Sequence, residues 1–315
     1  SFHHPDWIDL LRATYGYRAF VAAVPDGAGG VSAGLPFMEV NSPFTGRRWV
    51  ALPFSDHCCP LAADAGALRT LVEALVVRHA EGGSPRIEVR APLVHDVIER
   101  TTTCLSHAIS LGDERSVWKR VHRMHKRNIR QAERQGVTVV RRTDAPSLRA
   151  FYRLHTLTRR RHGVPVQPWR FFERLGGLIA QGHGFVLLAI KDDRCAAGGV
   201  FLHWGQTLML KYAASDPDLL DLRPNHLIYA DAIRWACANG FPRLDLGRVD
   251  ADQEGLAIFK RRWGADEEPL EYSFLGGARV ERGHGPLADL VGAVIRHMPA
   301  SFCRASGELL YRYLG

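Results

Sequence analysis

Apolar and polar positions follow two periods along the chain, and these periods succeed one another in the same order in both halves. Short runs of period two or of continuous apolar residues are typical of strands, and a period of three to four is typical of helices. In the first half the pattern predicts strands at Phe20–Val24, Val31–Val40, Arg48–Leu52, Arg86–Val89 and Cys104–Leu111, with helices at 5–13, Ala67–His79 and Val94–Arg100.

The second half repeats this order. Its pattern predicts strands at Phe185–Ile190, Ala196–His203, Thr207–Ala213, Arg243–Leu246 and Glu271–Phe274, with helices at Asn225–Ala238 and Gln253–Arg262. Ser-Asp closes the third strand of each half, at 55–56 and 215–216. We interpret this as an internal duplication of one α/β unit; the alternative is that two ordinary α/β halves are alike by chance. The expected domains are 1–115, 116–285 and a helical tail, 286–315.

Positive charge is concentrated between the two halves. Ten lysines and arginines and one acid lie between Arg115 and Arg142, so the rest of the chain is close to neutral although the whole carries +8. The pattern predicts one helix, Ser116–Gln135, ended by Gly136. Its cations fall at helical spacing on one side, at Lys119, Arg123, Lys126, Arg127, Arg130 and Arg134. A cationic stripe with few acids nearby favours a phosphate-rich partner, and the alternative is a solvated helix face.

Composition adds few constraints. Length favours two domains, and the apolar and charged fractions are those of a soluble globular protein. The six cysteines form no CxxC pair, and the first residues lack the features of a signal peptide, so we expect reduced thiols, a cytoplasmic protein and no structural metal. Cys58 and Cys59 beside His57 suggest a thiol nucleophile, but no second signature supports that interpretation.

The segment from Phe241 to Ala265 carries the strongest candidate chemistry. It is interpreted as a strand, a turn at Gly247, a polar loop and a short helix, with Asp252 as the helix N-cap and Gly264 as its end. A lysine just past such a corner, here Lys260, is well placed to hold an anionic group. The alternative is that Lys260 and the two arginines after it form a solvated basic face.

Taken together, these segments resemble the FemABX-like family, whose fold is a tandem of acyltransferase units of the GNAT superfamily. The resemblance rests on PFSD near residue 55, HKRNIRQAERQGV (His125–Val137), the block from Tyr212 to Arg248, and EGLAIFKRRWGA (Glu254–Ala265). It implies two α/β domains with mixed central sheets flanked by helices. It also implies an aminoacyltransferase that uses aminoacyl-tRNA to extend a peptide or cell-envelope precursor. The ending is similar to FemAB-like proteins associated with exopolysaccharide and protein-sorting systems.

The resemblance also implies residue roles. Phe259 and Lys260 match the pair that lies beside the aminoacyl ester, where Lys260 would stabilise the oxyanion or the departing ribose oxygen. The residues implied in substrate binding are Asp56, Arg160, Tyr212, Asn225, Tyr229 and Arg248. Asp56 would line a cleft between the repeats. Lys119, Arg123, Lys126, Arg127 and Arg130 would follow the tRNA backbone through phosphate contacts.

Two classes of function remain open. The first is an N-acyltransferase that needs no cofactor, with aminoacyl-tRNA as co-substrate or, as an alternative, an acyl-CoA. The loop Leu222–Leu227 has no glycine, which favours tRNA over coenzyme A. The second is a non-catalytic binder of RNA or of an anionic envelope precursor. The pattern of the tail predicts two short helices broken at Pro299. These helices either pack on the second domain or contact a membrane peripherally through Arg296, Arg304 and Arg312.

Overall fold

A computed structural model describes residues 2–277 and 286–315. Within that part, the chain divides into two compact units. The N-terminal unit contains residues 2–104, 269–277 and 312–315, and the C-terminal unit contains residues 105–268 and 286–311. This division differs from the expected one because the strand that ends the second repeat is paired within the N-terminal unit, through Ser273 opposite Val89. The expected boundary at residue 285 lies outside the described residues.

The N-terminal unit is a mixed sheet with helices. Its elements are α1 Pro5–Tyr15, β1 Arg18–Pro25, β2 Val31–Ser42, β3 Gly46–Val50, β4 Leu61–Ala62, α2 Ala65–Ala80 and β5 Arg86–Val89. Strand β6, Glu99–Ser110, and a strand near the end of the chain, Asp266–Leu275, contribute residues to both units. The sheet order is β1-β2-β3-β5 followed by Asp266–Leu275, with β3 and β5 parallel and β4 paired to β2.

The C-terminal unit is also a mixed sheet with helices. Its helices are α3 Glu114–Arg120, α4 Arg123–Arg134, α5 Ala145–Arg161, α6 Trp169–Leu178, α7 Pro224–Ala238, α8 Glu254–Arg261, α9 Pro286–His297 and α10 Ala300–Leu310. Its strands are β7 Thr138–Arg142, β8 Gly184–Lys191, β9 Arg194–Trp204, β10 Thr207–Ser215 and β11 Arg243–Asp250, and Asp266–Leu275 is β12. The sheet order is β11-β10-β9-β8-β7, and only the β10–β11 pair is parallel among these neighbours.

Helices cover both faces of this sheet. On one face, α3, α4 and α7 bury Val117, Ile129 and Ile233 against alternate residues of the strands, such as Leu187 and Leu208. On the other face, α5 packs against β8, β9 and β10, and α6 packs on α5 and contacts Tyr212 of β10. Alternation along each strand, with side chains pointing to opposite faces, is what allows one sheet to support two helical layers.

Four local expectations are wrong. The helix expected at Ser116–Gln135 is two helices, because Val121 is extended and His122 begins α4 as its N-cap. The strand expected to turn at Gly247 continues to Asp250, although Gly247 has a left-handed φ of 74°. Gln253 rather than Asp252 is the N-cap of α8. Residues 94–98 form turns and bends rather than a helix, and β6 begins at Glu99.

The prediction for the tail is confirmed, and two elements were not predicted. The two tail helices broken at Pro299 are present as α9 and α10. Strand β7 and helix α6 were not expected. In the described part of the chain, the helices are too short or too polar to cross a bilayer.

Candidate functional site

Lys260 is buried at the end of α8. Its side chain is 3% exposed, and Nζ donates hydrogen bonds to the carbonyl oxygens of Gly247, at 2.9 Å, and Arg248, at 3.1 Å. The solvated-face alternative is therefore wrong for Lys260, whereas Arg261 is exposed and pairs with Glu267 at 3.3 Å. A buried ammonium is stable only when hydrogen-bond acceptors replace its lost water, and the two carbonyls supply that replacement.

The backbone of β11 creates these acceptors. Gly247 has a φ of 74°, a region that glycine enters without steric cost. Its N–H donates to Oδ1 of Asp245, 2.7 Å away, and Asp245 is only 5% exposed. Because Asp245 fixes the peptide before the bend, the carbonyls of Gly247 and the following Arg248 both reach the same ammonium.

An aromatic cluster adjoins Lys260. Phe259 meets the ring of Tyr229 edge-on, with centroids 5.1 Å apart, and Trp263 stacks on Tyr229 at 5.4 Å. Two histidines complete the cluster, with His125 4.6 Å from Trp263 and His226 5.5 Å from Phe259. Burial raises the pKa of the Tyr229 hydroxyl, so Tyr229 stays protonated at neutral pH.

The two histidines belong to the site although neither was expected there. Nε2 of His125 donates to the carbonyl of Phe259 at 2.9 Å, and the Nδ2 amide of Asn128 donates to Nε2 of His226 at 3.0 Å. Burial lowers the pKa of His125, and burial, followed by the repulsion that a protonated His125 would exert, lowers that of His226 to about 4. Both rings are therefore neutral at pH 7. The signal in the sequence was a histidine on the same helix face as Ile129 and the apolar residues of α4.

A third buried histidine, His107, is paired with a carboxylate near the same lysine. His107 on β6 has Nε2 2.8 Å from Oε1 of Glu267, and the other oxygen of Glu267 pairs with Arg261. Burial lowers the pKa of His107, and the charge of Lys260 lowers it further, whereas Glu267 opposes both effects. These three residues connect β6, α8 and β12 within the C-terminal unit.

Six cations of α3 and α4 are here called the basic face. It is defined by Lys119, Arg123, Lys126, Arg127, Arg130 and Arg134, of which Lys126 is half-buried and the others are exposed. The opposite side of α4 packs against α7 and carries His125 and Asn128. One helix thus presents cations to solvent and two polar contacts to the site around Lys260.

The remaining expected residues are spread more widely. Tyr212 lies on the other face of the sheet, where its ring is 5.4 Å from His155 of α5 and 5.5 Å from Phe172 of α6. The structure therefore separates Tyr212 from Tyr229. Arg160 is half-buried near the end of α5, on the face that carries Tyr212.

Asn225 and Arg248 lie closer to Lys260. Asn225 is half-buried in the first turn of α7, beside His226, and the backbone of the exposed Arg248 binds the lysine. Asp56 belongs to the N-terminal unit, where its carbonyl accepts a hydrogen bond from the Tyr272 hydroxyl at 2.6 Å. A role for Asp56 in a cleft stays a prediction.

The start of α7 bears on coenzyme A. Arg223 takes the left-handed conformation, with φ 59°, that a glycine takes in a phosphate-binding loop, and Pro224 follows as the first helical residue. The helix has no side-chain N-cap. Within either unit taken alone, the described residues contain no group of three histidines, cysteines or carboxylates close enough to hold a metal ion.

Comparison with known proteins places this site in a family context. Residues 119–261 match the model of the acetyltransferase (GNAT) domain family, a segment that includes the basic face, all of α7 and Lys260. The UDP-N-acetylmuramoylpentapeptide-lysine N(6)-alanyltransferase of Weissella viridescens is 25% identical over 149 residues, which are 47% of this chain. The match spans 44% of that relative, so the chain covers less than half of its length.

Solved structures show the same fold. The crystal structure of FemX superposes with a TM-score of 0.66 and 15% identity, over 86% of this chain and 91% of FemX. The C-terminal domain (DUF2156) of a putative lysylphosphatidylglycerol synthetase from Agrobacterium fabrum has a TM-score of 0.57 and 13% identity, over 91% of this chain and 90% of that one. The expected α/β architecture of two GNAT-like units and the resemblance to FemABX-like proteins are confirmed.

Proposed function

From its GNAT-type domain and its likeness to Fem-type proteins, we propose that this chain is an N-acyltransferase that moves an aminoacyl group from aminoacyl-tRNA to an amine of a peptide or envelope precursor. The observation that carries the proposal is Lys260, a buried cation held by two backbone carbonyls within the segment that matches the family model. The Weissella relative is an alanyltransferase by name, which supports an aminoacyl group and a peptidoglycan-precursor acceptor.

The chemistry proposed for the site is direct transfer. The neutral amine of the acceptor attacks the ester carbonyl, a C–N bond forms, the C–O bond to the ribose breaks, and the proton lost by the amine leaves with the ribose hydroxyl. Lys260 donates a hydrogen bond to the oxygen on which negative charge develops, and such a donor is worth about 100- to 1000-fold in rate. Phe259 and Tyr229 form an apolar wall that strengthens this interaction by excluding water.

The basic face supports tRNA as the donor. Five of its six cations lie on α4, the helix whose other side contacts the site, and all six except Lys126 are exposed, so a polyanion bound there would lie beside the site around Lys260. Phosphate contacts of this kind make binding steeply salt-dependent. A tRNA donor places the reaction in the cytoplasm.

An acyl-CoA donor is the second candidate, favoured by the description of the matched domain family as an acetyltransferase. Arg223 and the start of α7 are the groups that would meet its pyrophosphate. The absence of glycine from this loop argues against that donor.

The tail supports a peripheral contact with an anionic membrane. Phe302 and Leu309 lie seven residues apart on one side of α10 and are 56% and 70% exposed, and Arg304 of the same helix is also exposed. An apolar stripe beside arginines is typical of helices that lie in a membrane interface. Leu309→Glu is expected to abolish sedimentation with anionic vesicles, and unchanged sedimentation would refute this contact.

Donor binding and turnover test the proposed reaction. Wild type, Lys260→Met and the double variant Arg127→Glu/Arg130→Glu are titrated with charged tRNA and with acetyl-CoA over a salt series, and single-turnover transfer is measured. We expect tight, salt-dependent tRNA binding that Lys260→Met retains while it loses transfer by at least about 100-fold. The double arginine variant is expected to lose binding. Saturable acetyl-CoA binding with weak RNA binding would show that acyl-CoA, rather than aminoacyl-tRNA, is the donor. Full activity of Lys260→Met would refute the role of Lys260.

A further inference from the structure

The C-terminal end of α8 is capped by the junction between α3 and α4. The backbone N–H of His122 donates to the carbonyl of Arg262 at 2.8 Å, and Nε2 of His125 donates to the carbonyl of Phe259 at 2.9 Å. The His122 N–H is available for this bond because the chain breaks at Val121 and His122 and restarts as α4, whose first turn carries His125. The break between α3 and α4 therefore helps to cap the C-terminal end of α8.

These caps satisfy carbonyls that the helix cannot satisfy itself. The last four carbonyls of an α-helix have no partner in the next turn. At the end of α8 the N–H of Trp263 turns to the carbonyl of Lys260, at 3.0 Å, in a tightened turn. The carbonyl of the half-buried Phe259 then depends on His125, and an acceptor left without a partner in a partly buried site is costly.

The bond from His125 has a defined proton arrangement. A carbonyl can only accept, so Nε2 of His125 carries the hydrogen. The ring is 2% exposed and is packed by Trp263 and His226, with centroids 4.6 and 4.8 Å away. These contacts fix the ring orientation, so that the N–H has one target.

The peptide that accepts this bond is the one that joins Phe259 to Lys260. Its orientation sets the direction of the Lys260 side chain at its root, while the carbonyls of Gly247 and Arg248 hold the ammonium at its tip. Lys260 is thus constrained at both ends, by α4 and by β11. Mispositioning of a catalytic group by about 1 Å can cost about 100-fold in rate.

We infer that His125 is a positioning residue for Lys260, acting through the carbonyl of Phe259 rather than on the substrate. The inference rests on the proposed function and assigns a role to a residue of α4, the helix that carries most of the basic face. It also gives the break between α3 and α4 a function in catalysis.

The test compares His125→Phe, which keeps the ring and removes the donor, with His125→Gln, whose amide restores one. The matched control is His155→Phe. His155 is similarly buried, at 4%, and its Nε2 donates to Oε1 of Gln167 at 2.7 Å, but it lies on the opposite face of the sheet. The readouts are kcat and KM for transfer, thermal stability, and hydrogen exchange of the amides of residues 259–264.

We expect His125→Phe to lower kcat by about tenfold or more with both KM values within about twofold. His125→Gln should recover most of the loss, and His155→Phe should reduce thermal stability without lowering kcat. Exchange of the α8 amides should accelerate in His125→Phe alone. An unchanged kcat in His125→Phe, an equal fall in kcat in His155→Phe, or no recovery with glutamine would overturn the inference.

Two further outcomes are also decisive. If wild type transfers nothing from any donor, the proposed function fails, and hydrogen exchange alone decides whether His125 fixes the end of α8. If His125→Phe does not fold, His125→Asn, whose shorter amide cannot span the distance to the carbonyl, takes its place. Unchanged exchange in that variant would refute the positioning role.

Discussion

Acidification from pH 7 to pH 5 is expected to destabilise the C-terminal unit through His226. This residue is 9% exposed, and its Nε2 accepts a hydrogen bond from Asn128, which a protonated ring cannot do. The pKa of His226 is lowered from 6.5 to about 4, first by burial, then by repulsion from His125 when that ring is protonated, and then by the positive charge of Arg223. The substitution that isolates its contribution is His226→Gln, which keeps an acceptor for Asn128 and removes the titration.

The sign and size of the effect follow from linkage. Because the folded pKa is below the unfolded one, the unfolded chain binds more protons, and stability is lost as pH falls from 6.5 towards 4. A difference of about 2.5 pKa units corresponds to about 3 kcal/mol over the full window. Between pH 7 and pH 5 the same pKa values give a loss of about 2 kcal/mol.

Urea unfolding monitored by circular dichroism at both pH values measures this loss. Other groups titrate in the same range, so the quantity of interest is the difference between wild type and His226→Gln. Wild type should lose about 2 kcal/mol more than the variant on acidification. His297→Gln, at an exposed histidine, is the control and should behave as wild type. Equal pH dependence in wild type and His226→Gln would refute the reasoning.

Three glycine substitutions test the packing around the site and the tail. Gly264→Ala is expected to cost about 1–3 kcal/mol in urea unfolding, because Gly264 has a φ of 79° and an added Cβ would lie 2.9 Å from Cβ of Arg120. Gly255→Ala, inside α8 with open space around it, should be neutral or stabilising by up to about 1 kcal/mol, and equal costs at the two positions would contradict the strain argument. Gly307→Ala should release α10, because its Cβ would overlap the carbonyl of Val166; faster proteolysis of the tail measures this, and wild-type resistance would contradict it.

Periodicity predicted most helices and strands because the apolar residues that each one buries recur at regular spacing within that element. The stripe of α4 is visible in the sequence, and so is the strand–loop–helix corner with Lys260. The break at Val121 and His122 is not, because Val121 fits the apolar stripe on either side and the break depends on a distant acceptor, the carbonyl of Arg262. Asp252 looked like a cap, yet the helix begins one residue later.

The candidate site was predictable only in part for the same reason. A run of three cations does not reveal which one is buried; the spacing of Ala257, Lys260 and Trp263 was the available signal, since it places the lysine between two buried residues. His125 and His226 are 101 positions apart, and their ring contact is purely tertiary. Tyr212 and Tyr229 looked equivalent in the sequence, but a β-bulge between Leu210 and Tyr212 turns Tyr212 to the other face of the sheet.

The pairing of β12 with β5 has a consequence for biosynthesis. Ser273 donates to the carbonyl of Ala91 across 182 positions, so the sheet of the N-terminal unit acquires its last strand only after most of the chain has been made. Strands β7 to β11 follow one another between Thr138 and Asp250, with helices between some of them, and can pair earlier. Long-range pairing delays folding and leaves an unpaired strand edge exposed meanwhile. During translation strands β7 to β11 are therefore expected to pair before the N-terminal sheet is complete, and the nascent N-terminal sheet is expected to need protection by chaperones in that interval.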